Sequence, residues 1–441
     1  MKNFVKKKGV LASCLFGLAL VACGGEQDTE YHTTYGDPHP EGYYEYVGGG
    51  VGDYIDLNAR FLEDVDYLFY ILENNFPLFN ATERVVGIDT QQLMMNTRNY
   101  TETSEFATDS NRHIERVLRS NFFIHFNNGH HRNNFGLLEA LTQEDFRRHL
   151  YNNPREEWLP IIDNPSTRSL FGLVISPFPT GESEWFVAKS IEEGYVAYIG
   201  WEQLTEAHTN HQTGNLFGVA METHGDMILE FLQSIVDYEH LIIDLRTIER
   251  ARFDYFPEMI IQNLISEPIT YDHHFFSMGG EYVRQFYNIL PRGQAGFVPV
   301  TDELLAGFPY LHPDDAGILR YHYHLERIIH PSANSIGFDG KIWVLINNRN
   351  IYDTDHIARV MQQTGLATLV GEPTSGGGIT SMFSVPFVLP NTGFAGRFMP
   401  LYGVDQLGRN IWEHPTQPDI FNREGMDAMQ TVLALIAEGD Y

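Results

Sequence analysis

The sequence predicts a layered α/β domain that follows a mainly helical N-terminal region. Two nearly continuous apolar strands, Leu241–Arg246 and Ile342–Asn347, alternate with amphipathic helices, and helical spacing of apolar residues dominates before residue 135. Strands that are apolar at almost every position are typical of a sheet covered on both faces. The chain has 441 residues, of which 43% are hydrophobic, so it is long enough for two or three domains with a substantial core.

The first 22 residues have the composition of a secretory signal. Lysines precede an apolar run from Val10 to Ala22, and this run is well short of the roughly 20 residues that a membrane-spanning helix needs. The run ends in Leu20-Val21-Ala22-Cys23, which resembles a bacterial lipobox. The resemblance implies cleavage before Cys23 and lipidation of its thiol, and an ordinary signal with a chance cysteine is the alternative.

The charge and the cysteine content exclude several classes of protein. The chain has 29 Lys and Arg against 58 Asp and Glu, a formal charge of −29, which argues against nucleic acid or an anionic bilayer surface as a partner. The two cysteines, Cys14 and Cys23, both lie near the N-terminus. A disulfide scaffold and a cysteine-based metal site are therefore excluded.

Composition divides the rest of the chain into four parts. Residues 23–52 are rich in Gly, Pro and acids without a period, as in a flexible tether. Residues 53–135 form the helical region, because apolar residues from Phe61 onwards recur at helical spacing. Residues 136–190 are a β-rich connector, too short for a comfortable peptide-binding module, and residues 191–441 form the α/β domain.

The elements of the α/β domain follow one another in an alternating order. Apolar runs bounded by Gly, Pro or polar residues predict strands, and apolar faces at helical spacing predict helices. The predicted strands cover residues 195–199, 241–246, 342–347, 367–370, 385–389 and 393–400. The predicted helices lie near residues 227–235, 255–265, 353–363 and 424–437.

Six segments of this domain carry a resemblance to a known family, in the same order and at similar spacing. They are Gly194–Ile199, Leu241–Arg246, Val344–Asn350, Ala367–Thr374, Phe387–Gly393 and Glu413–Asp419. Together they resemble the C-terminal-processing (tail-specific) serine peptidases, in the branch related to tricorn protease and the retinoid-binding protein repeats. The resemblance implies a crotonase-like β-β-α core.

Acyl transfer needs a nucleophile, a base, a group that orients the base, and donors for the oxyanion. The resemblance implies that His130, or its neighbour His131, is the base, and that Glu413 supports it. It also implies a nucleophilic serine at the start of the helix after the second buried strand, where this chain has Asp353 and Thr354. The chain has no serine between Ser335 and Ser375.

The residues at this position are poor substitutes for serine. A carboxylate such as Asp353 does not attack a peptide carbonyl productively, and the β-branch of Thr354 stiffens its side chain. The family's alternative dyad uses a lysine in the loop after the next strand, where this chain has glycines 376–378.

The expected oxyanion loop is also changed. The family follows its Asp-Leu-Arg strand with a glycine-rich stretch, whereas this chain has Thr247, Ile248 and Glu249. Side chains there hinder close approach of a substrate to the backbone, and Glu249 adds negative charge. Because two requirements fail together, the sequence predicts an inactive site.

The predicted function is that of a lipid-anchored extracytoplasmic protein in the bacterial cell envelope. It would bind peptide or protein tails without cutting them, with Cys23 as membrane anchor, and without cofactor, metal or nucleic acid. One alternative is an active peptidase that uses Thr354 or Ser375 with His130 and Glu413. Another is a purely structural lipoprotein.

A metal-dependent hydrolase is the last alternative. Asp353, Asp355 and His356 are chemically suitable ligands for zinc or manganese, although no HExxH-type motif accompanies them. His322 and His324 have the alternate spacing of a strand, so both rings should face one side of it.

Overall fold

The computed structural model describes residues 57–104, 112–123, 126, 135–137, 186–201, 216–248, 255–378, 381 and 383–439. The predicted signal and tether, Cys23, His130, His131, Glu249 and most of the connector lie outside the described residues. No described helix combines the length and apolarity that crossing a membrane requires.

The N-terminal region is helical, as the sequence predicts. Its helices are α1 (Leu57–Asn75), α2 (Phe79–Val86), α3 (Thr90–Thr103) and α4 (Arg112–Leu118), which continues as a π-helical turn, Arg119–Phe123. The apolar residues of α1 that recur at helical spacing are buried. Phe76, between α1 and α2, makes edge-to-face contacts with Phe79, Phe126 and Phe398, the last of which lies in the α/β domain.

A six-stranded sheet forms the centre of the α/β domain, in the order β13-β9-β8-β4-β3-β2. Every pair is parallel except β2 and β3. The strands are β2 (Phe186–Glu192), β3 (Val196–Trp201), β4 (His240–Asp244), β8 (Lys341–Ile346), β9 (Thr368–Gly371) and β13 (Ile420–Phe421). All of β4 is buried, and apolar clusters cover both faces of the sheet, as its composition predicts.

Two smaller antiparallel sheets complete the fold. The first has the order β12-β5-β7-β6, with long strands β5 (Ile269–Ser277) and β7 (Tyr321–Ile329). The second has the order β1-β11-β10. The shorter strands are β1 (Phe135–Leu137), β6 (Phe297–Pro299), β10 (Val385–Val388), β11 (Ala395–Phe398) and β12 (Tyr402–Val404).

The alternate spacing of His322 and His324 indicates a strand within β7, whereas no pattern predicts the bounds of β7 or any part of β5. Polar residues and histidines interrupt both strands, so no apolar run marks them. Each strand is stabilised by its partner: the nine-residue pairing runs from Ile269 opposite Ile329 to Ser277 opposite Tyr321.

The helices of the α/β domain surround the sheets. They are α5 (Leu216–Ser234), α6 (Gln262–Leu264, preceded by a π-helical turn, Pro257–Ile261), α7 (Glu281–Arg284), α8 (Asp302–Ala306), α9 (Pro313–Ile318), α10 (Asp353–Gln363) and α11 (Ala428–Glu438), with 3-10 turns at Tyr287–Ile289 and Gly293–Gly296. A capping box between Asp427 and Gln430 fixes the start of α11. The predicted helices near 353–363 and 424–437 are confirmed.

Candidate active site

A sharp turn joins the central strand β8 to helix α10, and it contains a strained residue. Tyr352 has φ 54° and ψ −120° and is the one non-glycine residue with positive φ in the described ranges. Such strain is concentrated at functional sites, and a strained strand–turn–helix is the geometry by which many hydrolases present a nucleophile. The strained position is one residue before Asp353.

The glycine loop that follows β9 holds this turn in place. The amide of Tyr352 donates a hydrogen bond to the carbonyl of Gly376 (3.1 Å), and the amide of Ser375 donates to the carbonyl of Asn350 (2.9 Å). The hydroxyl of Ser375 also donates to the backbone carbonyl of Asn348 (2.6 Å). Ser375 therefore contributes to the support of the turn.

Thr354 and Asp353 have different environments at the start of α10. Thr354 is fully buried, and its hydroxyl oxygen has no hydrogen-bond partner among the described residues. Asp353 is only half-buried. Its charge lies in the first turn, where the helix dipole favours an anion.

Asp355 joins three segments from inside the protein. Its side chain is fully buried and accepts hydrogen bonds from the hydroxyl of Thr374, the amide of Thr416 (3.0 Å) and the amide of Gly378 (3.2 Å). Arg359, one turn along α10, is 3.9 Å away. A buried carboxylate is stable only with such partners, so Asp355 fixes the glycine loop and the segment around Thr416 against the helix.

Asn350 joins the turn to the loop after β4, which is the predicted oxyanion region. Its buried amide nitrogen donates to the carbonyls of Leu245 (2.6 Å) and Ile248 (3.0 Å), and its oxygen accepts from the amide of Asn347 (2.8 Å). The two loops that would have to cooperate in acyl transfer are thus held together by one side chain.

Hydrogen bonds within the protein occupy two backbone amides of this loop. The amide of Arg246 donates to Asp244 (3.1 Å), and that of Ile248 donates to the carbonyl of Leu245 (2.9 Å). Ile248 is fully buried, and the hydroxyl of Thr247 donates to the carbonyl of Trp201. An oxyanion hole needs donors aimed at the substrate, and neither of these amides is available for that.

Glu413 binds an arginine of the helical region. The guanidinium of Arg84 in α2 donates to both carboxylate oxygens of Glu413 (2.6 and 2.7 Å) and to Asp315 of α9. The hydroxyl of Tyr402 also donates to Asp315 (2.6 Å). Burial works against the charge of Arg84, but these hydrogen bonds raise its pKa above the ordinary value.

His356 of α10 is buried against the neighbouring sheet. Its ring centroid lies 4.6 Å from that of His273 in β5. Burial lowers the pKa of His273 to about 3 and that of His356 well below its ordinary value. Among the described residues, no group of three or more His, Cys, Asp or Glu has the geometry to hold a metal ion.

The comparison with known families agrees with this geometry. Residues 293–421, which include the turn and the glycine loop, match the family model of peptidase family S41. Over these residues the chain is similar to peptidase family S41. No curated protein sequence matches the chain.

Solved structures show the S41 fold over most of the chain. Mature CPAF complexed with lactacystin has 14% identity and a TM-score of 0.52, covering 87% of this chain and 100% of that chain. Mature CPAF has 13% identity and a TM-score of 0.50, covering 87% and 98%. A putative peptidase from Parabacteroides merdae has 13% identity and a TM-score of 0.47, covering 87% and 96%.

The structure brings together some of the residues that the sequence singled out in this S41 domain. Asn350 joins the loop of Thr247 and Ile248 to the turn before Asp353 and Thr354, whereas Glu413 pairs with Arg84. Nothing in the sequence marks Tyr352, because backbone strain leaves no local pattern at an aromatic residue. Arg84 was missed because it is far from the family segments in sequence.

Proposed function

We propose that this chain is a lipid-anchored, extracytoplasmic S41-family protein that binds extended peptide or protein tails without cleaving them. The observation that carries the proposal is the tyrosine at the strained turn. The turn is the feature that presents a nucleophile, and Tyr352 occupies its strained position. An arrangement that keeps the strain but has no serine supports binding over hydrolysis.

The chemistry of Tyr352 supports the absence of cleavage. The phenol oxygen of Tyr352 is buried and not directed to solvent. The engaged amides of Arg246 and Ile248 remove stabilisation of an oxyanion, and the loss of one such donor typically costs about 3 kcal/mol of barrier.

The partner follows from the family and the compartment. The sheet framework of a tail-specific peptidase suits an extended peptide, and the net charge of −29 disfavours nucleic acid. A lipid on Cys23 would hold the domain at a membrane surface, and the peptide site would need no cofactor. Peptide or protein tails in the cell envelope are therefore the proposed ligands.

Hydrolysis is tested with the purified full chain, casein, a fluorogenic peptide and a fluorophosphonate probe. We expect no cleavage and no labelling. Cleavage that is abolished by Thr354→Ala or Ser375→Ala, together with labelling of the protein, would establish an active peptidase instead. Asn348→Ala is the matched control, because that side chain is exposed and lies outside the proposed nucleophiles.

The variant Tyr352→Ser separates the lack of a serine nucleophile from the lack of free oxyanion donors. It places the aliphatic hydroxyl of a serine at the strained position and leaves the engaged backbone amides unchanged. We expect it to remain unable to cleave peptides. Cleavage by this variant would show that the oxyanion donors are intact, which contradicts the proposed double loss.

Binding is tested by fluorescence anisotropy with peptides that carry a free or an amidated C-terminus. Saturable binding is the expected result, and binding to no peptide of either set would favour the purely structural lipoprotein. The anchor is tested separately: Cys23→Ser should release the protein from the membrane fraction and abolish incorporation of labelled palmitate. Retention of both would contradict the lipid anchor.

A further inference from the structure

Three histidines lie together on one face of the β5–β7 sheet, and we call them the histidine cluster: His274, His322 and His324. His274 and His324 are directly opposite each other in the antiparallel pair, and their rings stack with centroids 4.8 Å apart. His322 lies two residues before His324 and therefore on the same face, as its spacing predicts. Its ring stacks on that of His274 at 5.4 Å.

The closest contact in the cluster joins two ring nitrogens. Nδ1 of His274 lies 3.3 Å from Nε2 of His322. A hydrogen bond between them requires one nitrogen to donate and the other to accept, so at least one ring must be neutral. When both rings are protonated, two N–H groups and two positive charges face each other and the contact is repulsive.

A covering segment shields these two rings from water. Phe308, between α8 and α9, packs with its ring 5.0 Å from His274 and 5.6 Å from His322, and it is itself buried. The segment is held further by a hydrogen bond from the amide of Tyr310 to the carbonyl of Leu407 (3.0 Å). The covering segment, residues 302–311, is therefore attached to the sheet partly through the histidine cluster and partly through Phe276, whose ring lies 5.3 Å from that of Phe308.

Carboxylates near the cluster favour protonation of its rings, whereas burial disfavours it. Asp272 lies 2.7 Å from His324, and Asp272 and Asp405 both favour a charge on His274. Burial acts in the opposite direction and is the largest effect on both inner rings. It lowers the pKa of His322 to about 4 and also lowers that of His274, and the other histidines of the cluster lower both further.

The sign of the effect on stability follows from these directions. We call the state with the covering segment on the sheet closed and the state with the segment released open. Because the pKa of His322 in the folded protein lies below its ordinary value of 6.5, the closed state is fully stable above pH 6.5. It loses stability as pH falls from 6.5 towards 4, since the open state then binds more protons. A shift of this size in His322 alone corresponds to a roughly 30-fold change in the opening equilibrium between about pH 7.5 and pH 5.

We propose that the histidine cluster is a proton-operated latch: in mildly acidic medium, protonation of both His274 and His322 makes their contact repulsive and releases the covering segment from the sheet. This inference does not depend on the proposed function. The covering segment continues into α9, whose Asp315 binds Arg84, so release would also reach the contact between the α/β domain and the helical region.

Hydrogen exchange on the full chain tests the latch, with protection factors that remove the intrinsic pH dependence of exchange. The amides of residues 302–311 should lose protection by roughly 30-fold between about pH 7.5 and pH 5, while those of β4 change little. The variant His322→Phe keeps a ring beside Phe276 and Phe308 but cannot be protonated. It should retain protection at the lower pH.

Two further variants complete the test. His274→Gln can keep a hydrogen bond to His322 without a second titrating ring, so it should show a reduced pH response even if His322→Phe folds poorly. His330→Gln, an exposed histidine next to β7, should behave as the unmodified protein does. Equal protection at the two pH values, or an undiminished loss in both His322→Phe and His274→Gln, would overturn the latch.

Discussion

A Cβ atom on Gly377 would lie 3.2 Å from Cδ1 of Tyr352, so the glycine loop leaves just enough room for the tyrosine ring. Gly377 itself has φ 78°, which favours glycine independently. Gly377 thus has no side chain at the place next to which the large ring of Tyr352 lies. The turn combines a strained backbone with a packed aromatic ring, and these two contributions can be measured separately.

The strain at residue 352 predicts that Tyr352→Gly is more stable than Tyr352→Ala, which reverses the usual order of these two substitutions. Both variants remove the ring, but only glycine adopts positive φ without cost, and strain of this kind is worth about 1–3 kcal/mol. We expect the glycine variant to be more stable than the alanine variant by about 1–2 kcal/mol in urea unfolding. Equal stability, or a more stable alanine variant, would contradict strain at residue 352.

Breaking the Arg84 pair should strongly destabilise the protein. Arg84→Met leaves the fully buried Asp315 without its cation, and the loss of one partner of a buried pair costs about 3–5 kcal/mol. Arg98→Met is the matched control in the same region, because Arg98 forms exposed pairs with Asp66 and Glu102. That variant should lose less than about 1 kcal/mol by the same unfolding measurement. Similar losses of unfolding free energy in Arg84→Met and Arg98→Met would contradict a special contribution of the Arg84 pair to stability.

The donor groups of Asn350 should be essential to the site. In Asn350→Asp the carboxylate cannot donate to the carbonyls of Leu245 and Ile248, so a buried charge faces two acceptors. We expect a loss of about 3 kcal/mol or more in unfolding free energy. Asn348→Asp makes the same change at an exposed position nearby and should change stability by less than about 0.5 kcal/mol. Tolerance of Asn350→Asp would show that its amide does not join the two loops.

Asp64 should make the attachment of helix α1 depend on pH. Its buried carboxylate accepts hydrogen bonds from the amides of Asn391 (2.8 Å) and Thr392 (3.0 Å), and burial raises its pKa from 3.8 to about 6 despite them. A carboxyl whose folded pKa is raised stabilises the protein when it is protonated, so its contribution falls as pH rises from 3.8 to 6.

The measurement for Asp64 is the difference in unfolding free energy between the unmodified protein and Asp64→Asn. As pH falls from about 7 to 4, this difference should move in favour of the unmodified protein by about 2 kcal/mol. Asp66→Asn changes an exposed residue on the same helix and should give a difference that varies little with pH. A difference for Asp64→Asn that is independent of pH would exclude the raised pKa.

The sequence alone determined the buried strands at the centre of the main sheet and the absence of serine from the turn. Strands β4 and β8 were readable because a strand covered on both faces must be apolar along its whole length. The absence of serine from the turn is likewise a property of composition, and it needs no coordinates. The helix predicted near residues 424–437 is α11, and a local capping box at Asp427 fixes its start.

Only the tertiary structure decided what surrounds the turn. Tyr352 is strained because β8, α10 and the glycine loop fix its backbone together, and no local pattern in an aromatic residue encodes that. Glu413 pairs with Arg84 across 329 positions of sequence. Strands β5 and β7 are likewise stabilised by each other, because their hydrogen bonds and cross-strand contacts join residues up to 60 positions apart. Short-range patterns predict elements that satisfy their own burial and hydrogen bonding, whereas these features depend on partners that only folding brings together.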